Sequence, residues 1–199
     1  MAHRFLDLAF TPSVLAAQQH YFGRSQILPP AAADDPLGPE EQAFIESRDS
    51  FYMASVSETG WPYMQHRGGA AGFVKVTDPA SLAFADYKGN RQMLTTGNVA
   101  ANDRVCLFFM DYPRRTRLKI YGHAEVLDAR DHAALVGEIA DADVHKITER
   151  IVRVRVVSFD WNCPKYITPR FTAAEVGEAV SVLKARIAEL EARLEIQDR

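Results

Sequence analysis

The stretch Trp61-Pro62-Tyr63-Met64-Gln65-His66-Arg67-Gly68-Gly69-Ala70-Ala71-Gly72-Phe73-Val74 reads as a strand that runs into a glycine turn and leaves as a second strand. Its last polar residues before the turn are Gln65, His66 and Arg67. A guanidinium is a planar fork of five donors that suits a phosphate or a carboxylate. Gly68 and Gly69 can take positive φ and bring backbone close to a ligand. The group is therefore expected to form an anion-binding corner, with backbone N–H groups and Arg67 aimed at one place. An ordinary hairpin turn carrying a surface arginine is the other reading of the same residues.

The pattern on both sides is β. Phe51–Ser57 is a strand, and Glu58-Thr59-Gly60 is the turn that pairs it with the opening stretch. Phe73–Thr77 continues, Asp78-Pro79 turns, and Ser81–Asp86 is another strand. Tyr87–Asn98 is polar first and then a short helix. Arg104–Met110 is almost continuously apolar, which predicts burial on both faces. Arg117–Leu127 alternates, a helix is expected over about 129–141, and Arg150–Ser158 alternates again with arginine on one face. Six or seven strands in close succession with helices at both ends favour a closed or split antiparallel barrel over any parallel βαβ fold.

Three parts are expected: an N-terminal helix and arm over 1–39, the barrel over 40–172, and a C-terminal amphipathic helix over 173–199. In the first, Thr11 suits an N-cap, Pro12 the first helical turn and Gly23 the stop. Residues 28–39 read as an arm lying on the surface, and Pro39–Ser47 as a short helix with acidic residues in its first turn. In the last, Val176, Val180, Leu183, Ile187, Leu190 and Leu194 are spaced alternately by four and three, a heptad seam flanked by charge. Such a helix is expected to dock on its own body or on a second subunit.

Composition narrows the function classes. The chain has 199 residues, 47% of them apolar and 25% charged, with a formal net charge of −3. That balance lacks the basic excess of nucleic-acid or membrane-surface binders, and no apolar run approaches a membrane span. Asp7 and neighbouring polar residues interrupt the apolar core a signal peptide needs, so the cytoplasm is the expected address. Two cysteines, Cys106 and Cys163, without CxxC spacing make neither a zinc site nor a disulfide framework.

Polar groups recur at three strand ends: Gln65-His66-Arg67; Asp86-Tyr87-Lys88-Gly89-Asn90-Arg91 with Asn98 after it; and Arg114, Arg115 and Arg117. A helix start after the second group adds partial positive charge for a phosphate. A local cationic pocket in a slightly acidic chain favours a compact anion such as a mononucleotide over a polymer. Surface ion pairing with the acidic helices is the alternative. Near the C-terminus Trp161 is suited to stack on a planar ring, and Asn162 or Lys165 to bond its polar edge. Cys163 has no partnered base in view. His66 has no companion at metal-ligand spacing, and no metal is expected.

These blocks, in this order, resemble the pyridoxamine 5′-phosphate oxidase-like family of flavin-nucleotide-binding split barrels. The likeness rests on Trp61–Gly69 with Gly72-Phe73-Val74, on Phe84–Met93 with Gly97-Asn98, on Asp111–Gly122, and on Asp160–Arg170, and it covers roughly residues 40–172. It implies a mainly β fold, a six-stranded antiparallel FMN-binding split barrel that forms a homodimer with FMN at the subunit interface. It further implies that Gln65, His66, Arg67 and Gly68 line the flavin and its phosphate, and that Lys88, Asn90 and Arg91, with Asn98 nearby, take the phosphate and ribityl chain. Arg117 would face the ring or phosphate, and Trp161 and Asn162 would close the site from the other subunit. The implied activity is a flavin-dependent oxidoreductase on a small substrate. A non-catalytic flavin, heme or deazaflavin binding module is the alternative, with His66 or His123 as candidate heme ligands. The segment Trp161–Arg170 departs from the oxidase's tryptophan- and arginine-bearing signature, which speaks against pyridoxamine phosphate as substrate.

Overall fold

A computed structural model describes residues 3–31, 33–161 and 165–197. Seven strands form one antiparallel sheet: β1 (Ser50–Val56), β2 (Pro62–Gly68), β3 (Val74–Asp78), β4 (Ser81–Tyr87), β5 (Arg104–Asp111), β6 (Thr116–Asp128) and β7 (Thr148–Trp161). Their order is β2-β1-β5-β6-β7-β4-β3, one strand more than the six that the family resemblance implies. The mainly β architecture with flanking helices is as expected. The helices are α1 (His3–Ala9), α2 (Pro12–Phe22), α3 (Pro39–Glu46), α4 (Leu94–Ala101), α5 (Ala133–Ile139) and α6 (Ala173–Gln197). No helix among the described residues is long and apolar enough to cross a membrane.

The sheet curls because alternate residues of its strands meet in one core. Phe51 on β1 stacks on Phe109 of β5 at 4.8 Å and on Phe73 at 5.8 Å, and meets Phe84 on β4 edge-on at 5.1 Å. These four rings pull the β1–β2 side onto the β3–β4 side, although β2 and β4 share no ladder. Between them lies the split of the barrel.

Two strands depart from expectation, for reasons of cover. β5 is buried on one face only: Val105, Leu107, Phe109 and Asp111 are buried while Cys106, Phe108 and Met110 are half-covered. The strand buried on both faces is β4, because Ala83 and Ala85 on its outer side pack under Val136 and Ile139 of α5. α1, which no cap or periodic run announces, lays Phe5 flat on Tyr121 at 4.5 Å. The arm is held to the body by Leu37 N–H donating to the Pro79 carbonyl (2.7 Å) and by the ion pair of Arg155 with Asp34 (3.0 Å). α2 starts and stops as expected, with Thr11 Oγ1 accepting from Val14 N–H and Gly23 at φ 67°. α6 differs most: every described side chain over 173–193 is exposed, so the helix does not dock on its own body.

Candidate functional site

The site is set by the period of two along three strands. On β2, Tyr63, Gln65 and Arg67 share one side, while Met64 and His66 point to the other. On β4, Asp86 is in phase with buried Leu82 and Phe84; on β7, Arg150 is in phase with buried Val152, Val154 and Val156. The β4–β7 register puts Asp86 opposite Arg150. Arg150 Nε donates to Asp86 Oδ2 at 2.8 Å, and Arg67 Nη1 reaches Asp86 Oδ1 across the split. One buried carboxylate thus holds two guanidiniums together. Burial works against the Arg150 charge, yet its bond and ion pair with Asp86, helped by Glu149, more than offset this and hold its pKa above the usual value.

A cleft of about 180 Å³ opens on this triad. Its walls are Arg67 and Gln65 of β2, Asp86 and Tyr87 of β4, Arg150, the loop through Arg91, and the start of α4. Asn90 shapes the loop by accepting from Gln92 N–H at 3.1 Å. Arg91 (φ 61°) and Met93 (φ 58°) both sit in the left-handed region, a cost of about 1–3 kcal/mol each for residues with a side chain. The first turn of α4 faces the cleft through Leu94, Thr95 and Thr96, and Thr95 Oγ1 donates to Gln65 Oε1 at 2.9 Å. A helix start offers backbone donors without intrahelical partners. Three guanidiniums and one carboxylate therefore line the cleft, and Arg67 Nε is buried with no hydrogen-bond partner. The Tyr87 phenol is pushed up from its ordinary pKa by burial and then by Asp141 and Asp143, so it stays protonated and can donate.

The expected site residues separate into those the fold gathers and those it does not. Gln65, Arg67, Asn90 and Arg91 line the cleft. His66 faces away and meets the Tyr52 ring edge-on at 5.5 Å. Lys88 is exposed beside the cleft, its backbone N–H bonded to the Ile147 carbonyl at 2.7 Å. Asn98 is buried and donates to Ser55 Oγ at 3.0 Å, a core contact. Arg117 lies across from Met110 near the β5–β6 turn, with its Nε buried and without a partner. Trp161 pairs with Leu118 at the end of the β6–β7 ladder opposite Arg150. Its Nε1 donates to Glu41 Oε1 at 2.7 Å, and its ring meets Phe44 at 4.8 Å, so α3 holds it in place. Asn162 and Cys163 lie outside the described residues.

The glycine corner is a packing device. Positive φ falls on Gly72 (φ 83°), not on Gly68 or Gly69. A Cβ on Gly69 would lie 2.7 Å from Phe73 Cβ, so glycine is needed there for close approach. Gly69 N–H already donates to the Asp49 carbonyl (2.9 Å) and Gly72 N–H to the Arg48 carbonyl (3.2 Å). The donors that line the cleft are largely side chains instead. The third cation group does not converge either: Arg114 pairs with Asp111 at 3.1 Å and Arg115 is exposed in the turn. Arg150 is the residue that reading by composition overlooked. Grouping it with Arg153 and Arg155 hid that it alone shares phase with the core valines.

A barrel split between β2 and β4, with a cationic cleft at the split, is the class this chain defines. Residues 37–160 match the family model described as pyridoxamine 5′-phosphate oxidase, more than half the chain, and the chain belongs to that family. Among solved structures it is similar to a putative pyridoxamine 5′-phosphate oxidase from Lactobacillus delbrueckii (21% identity, 63% of this chain and 93% of that one, TM-score 0.49). Another is HupZ from Group A Streptococcus (12% identity, 68% and 99%, TM-score 0.49). A third is an FMN-binding protein from Syntrophomonas wolfei (9% identity, 61% and 83%, TM-score 0.45). No curated protein matches the chain.

Proposed function

We propose that the cleft takes the phosphate end of FMN and that the chain is a cytoplasmic, homodimeric, FMN-dependent oxidoreductase acting on a small substrate other than pyridoxamine phosphate. The observation that carries this reading is the excess of cation around Asp86, with the Arg67 Nε donor buried and unspent. Arg67 and Arg150 would bind the phosphate, pre-aimed by Asp86 at no ordering cost on binding. Arg91 would cover it from the loop, and the α4 start with Thr95 and Thr96 would supply neutral donors. Gln65, fixed by Thr95, and protonated Tyr87 would orient the chain leading to the ring. Bound flavin would supply the electron transfer, and no acid or base in the cleft needs to take part. A cavity of about 180 Å³ is smaller than the roughly 300–1,000 Å³ of sites that enclose a drug-sized ligand. A second copy would furnish the missing walls, and Trp161 and Asn162 would serve a partner's site.

Denaturing the purified protein and identifying what it frees tests this directly. FMN in amount equal to the chain is the expected result, with loss on Arg67→Met. A colourless protein that takes up no added FMN would overturn it, and a heme or deazaflavin spectrum would replace it. The same cleft fits a flavin carrier, because its carboxylate is tied to two arginines; absence of turnover with NAD(P)H and acceptors by a fully loaded protein would favour that reading.

A further inference from the structure

The helix α6 begins with its own cap: Thr172 N–H donates to Glu175 Oε2 at 2.8 Å, and Glu175 N–H donates to Thr172 Oγ1 at 3.2 Å. Beyond that cap nothing in the described chain covers it. Val180 is 38% exposed, Leu183 63%, Ile187 54% and Leu190 42%, all on one stripe. A single helix of this length is marginal in water, and so continuous an apolar stripe calls for a partner.

We infer that the partner is the same helix of a second copy, parallel and in register. The heptad assignment that keeps the stripe at the seam puts Val180 and Ile187 at a, and Val176, Leu183 and Leu190 at d. The sequence places Leu194 at the next a. β-branched residues at a with leucine at d favour two parallel strands. The flanking charges choose the same arrangement. Arg186 and Arg193 stand at g; Lys184 and Glu191 stand at e. In a parallel pair each g residue meets the e residue five positions on in the other helix, so Arg186 meets Glu191 twice over, by symmetry. An antiparallel pair would set the g arginines against one another. Within a single chain Arg186 bonds Glu189 at 2.5 Å, on the face away from the seam, so the charge is at hand but not buried. The first heptad has Gly177 and Ala179 beside the seam, which lets the backbones approach where the two helices leave their barrels.

The coil shares a second copy with the proposed homodimer but needs no cofactor, so flavin content reads one and cross-linking reads the other. The test is Leu190→Cys in the full-length protein under mild oxidation. A covalent dimer is expected, with the 190–190 link confirmed by mass of the joined peptide, while Ala185→Cys at the outward f position stays unlinked. Arg186→Glu in the Leu190→Cys background is expected to reduce the linked fraction severalfold, and adding Glu191→Arg to restore it. No 190–190 link, equal linking at 185, or no rescue by the charge exchange would each overturn the parallel coil. Unchanged FMN content in all these variants separates its failure from failure of the cleft.

Discussion

Two buried aspartates in this barrel each hold two arginines, and they do different work. Asp111 ends β5 and takes Arg48 at 2.9 Å and Arg114 at 3.1 Å on Oδ2, while its Oδ1 accepts from Arg114 N–H at 3.0 Å. Arg48 also lies 5.1 Å over the Phe44 ring and reaches the Met110 carbonyl. Arg48 Nη1 ties the α3–β1 segment to the end of β5, its Nε and Nη2 donate to Ser47 Oγ, and Arg114 closes the β5–β6 turn. At Asp86 the arrangement starts the same way, but Arg67 keeps a buried donor, Arg91 adds a third guanidinium and α4 begins alongside. The count of arginines per carboxylate is therefore uninformative. What distinguishes the Asp86 end is the cleft beside it, lined by a third guanidinium and the start of α4.

The largest expected effect is on stability at the clasp. Asp111→Ala strands the largely buried Arg48 guanidinium and unties the turn, at a cost of about 3 kcal/mol or more in urea unfolding. The folded fraction should still load FMN. If instead stability held and loading vanished, the roles assigned to the two aspartates would be reversed. The next effect belongs to the cleft. Arg67→Met leaves Asp86 paired with Arg150, so the barrel should persist, while FMN binds about 10- to 100-fold more weakly, the value of a charge-assisted bond or two. Titration of apoprotein followed by flavin fluorescence measures this, and Arg150→Met should behave alike. A third, smaller change tests the corner. Gly69→Ala forces a Cβ against Phe73 and should cost about 1–3 kcal/mol by thermal or urea unfolding, with FMN affinity in the folded protein unchanged. Weakened binding at full stability would return the glycines to the anion site.

The architecture was legible because alternation in β1, β6 and β7 carries its own evidence of a half-buried sheet. Cover from elsewhere was not. β5 looked two-sided because half-covered Cys106, Phe108 and Met110 are as apolar as core residues, and β4 hid its second buried face behind alanines. At the site, Arg67 and Arg91 were readable from type and position, since cations at strand ends near glycine and helix starts are few. Trp161 was read as a ring-stacking residue, and only the fold shows Glu41 from far along the chain satisfying its indole N–H. Arg150 was readable in principle, by phase with Val152 and Val154, but its meaning depends on the Asp86 register, a long-range fact.

A tyrosine follows each aspartate, and the smallest expected effect falls on this pair. Tyr87 is pushed above its ordinary 10.0 by burial and then by Asp141 and Asp143. Tyr112 is pushed the same way by burial and then by its hydrogen bond with Tyr52, against Arg170. Both phenols hold their proton more tightly folded than unfolded. Their contribution to stability is therefore fully present below about pH 10 and lost as pH rises through the folded values. Melting temperature measured up the alkaline limb should fall for the native protein, and less steeply for Tyr87→Phe or Tyr112→Phe. The two variants should part company when inorganic phosphate is added. An anion in the cleft repels the Tyr87 phenolate and raises its folded value further, so phosphate should deepen the alkaline fall in Tyr112→Phe but much less in Tyr87→Phe. Equal deepening in both would mean that phosphate acts on the barrel at large and that the cleft beside Asp86 has no special claim on it.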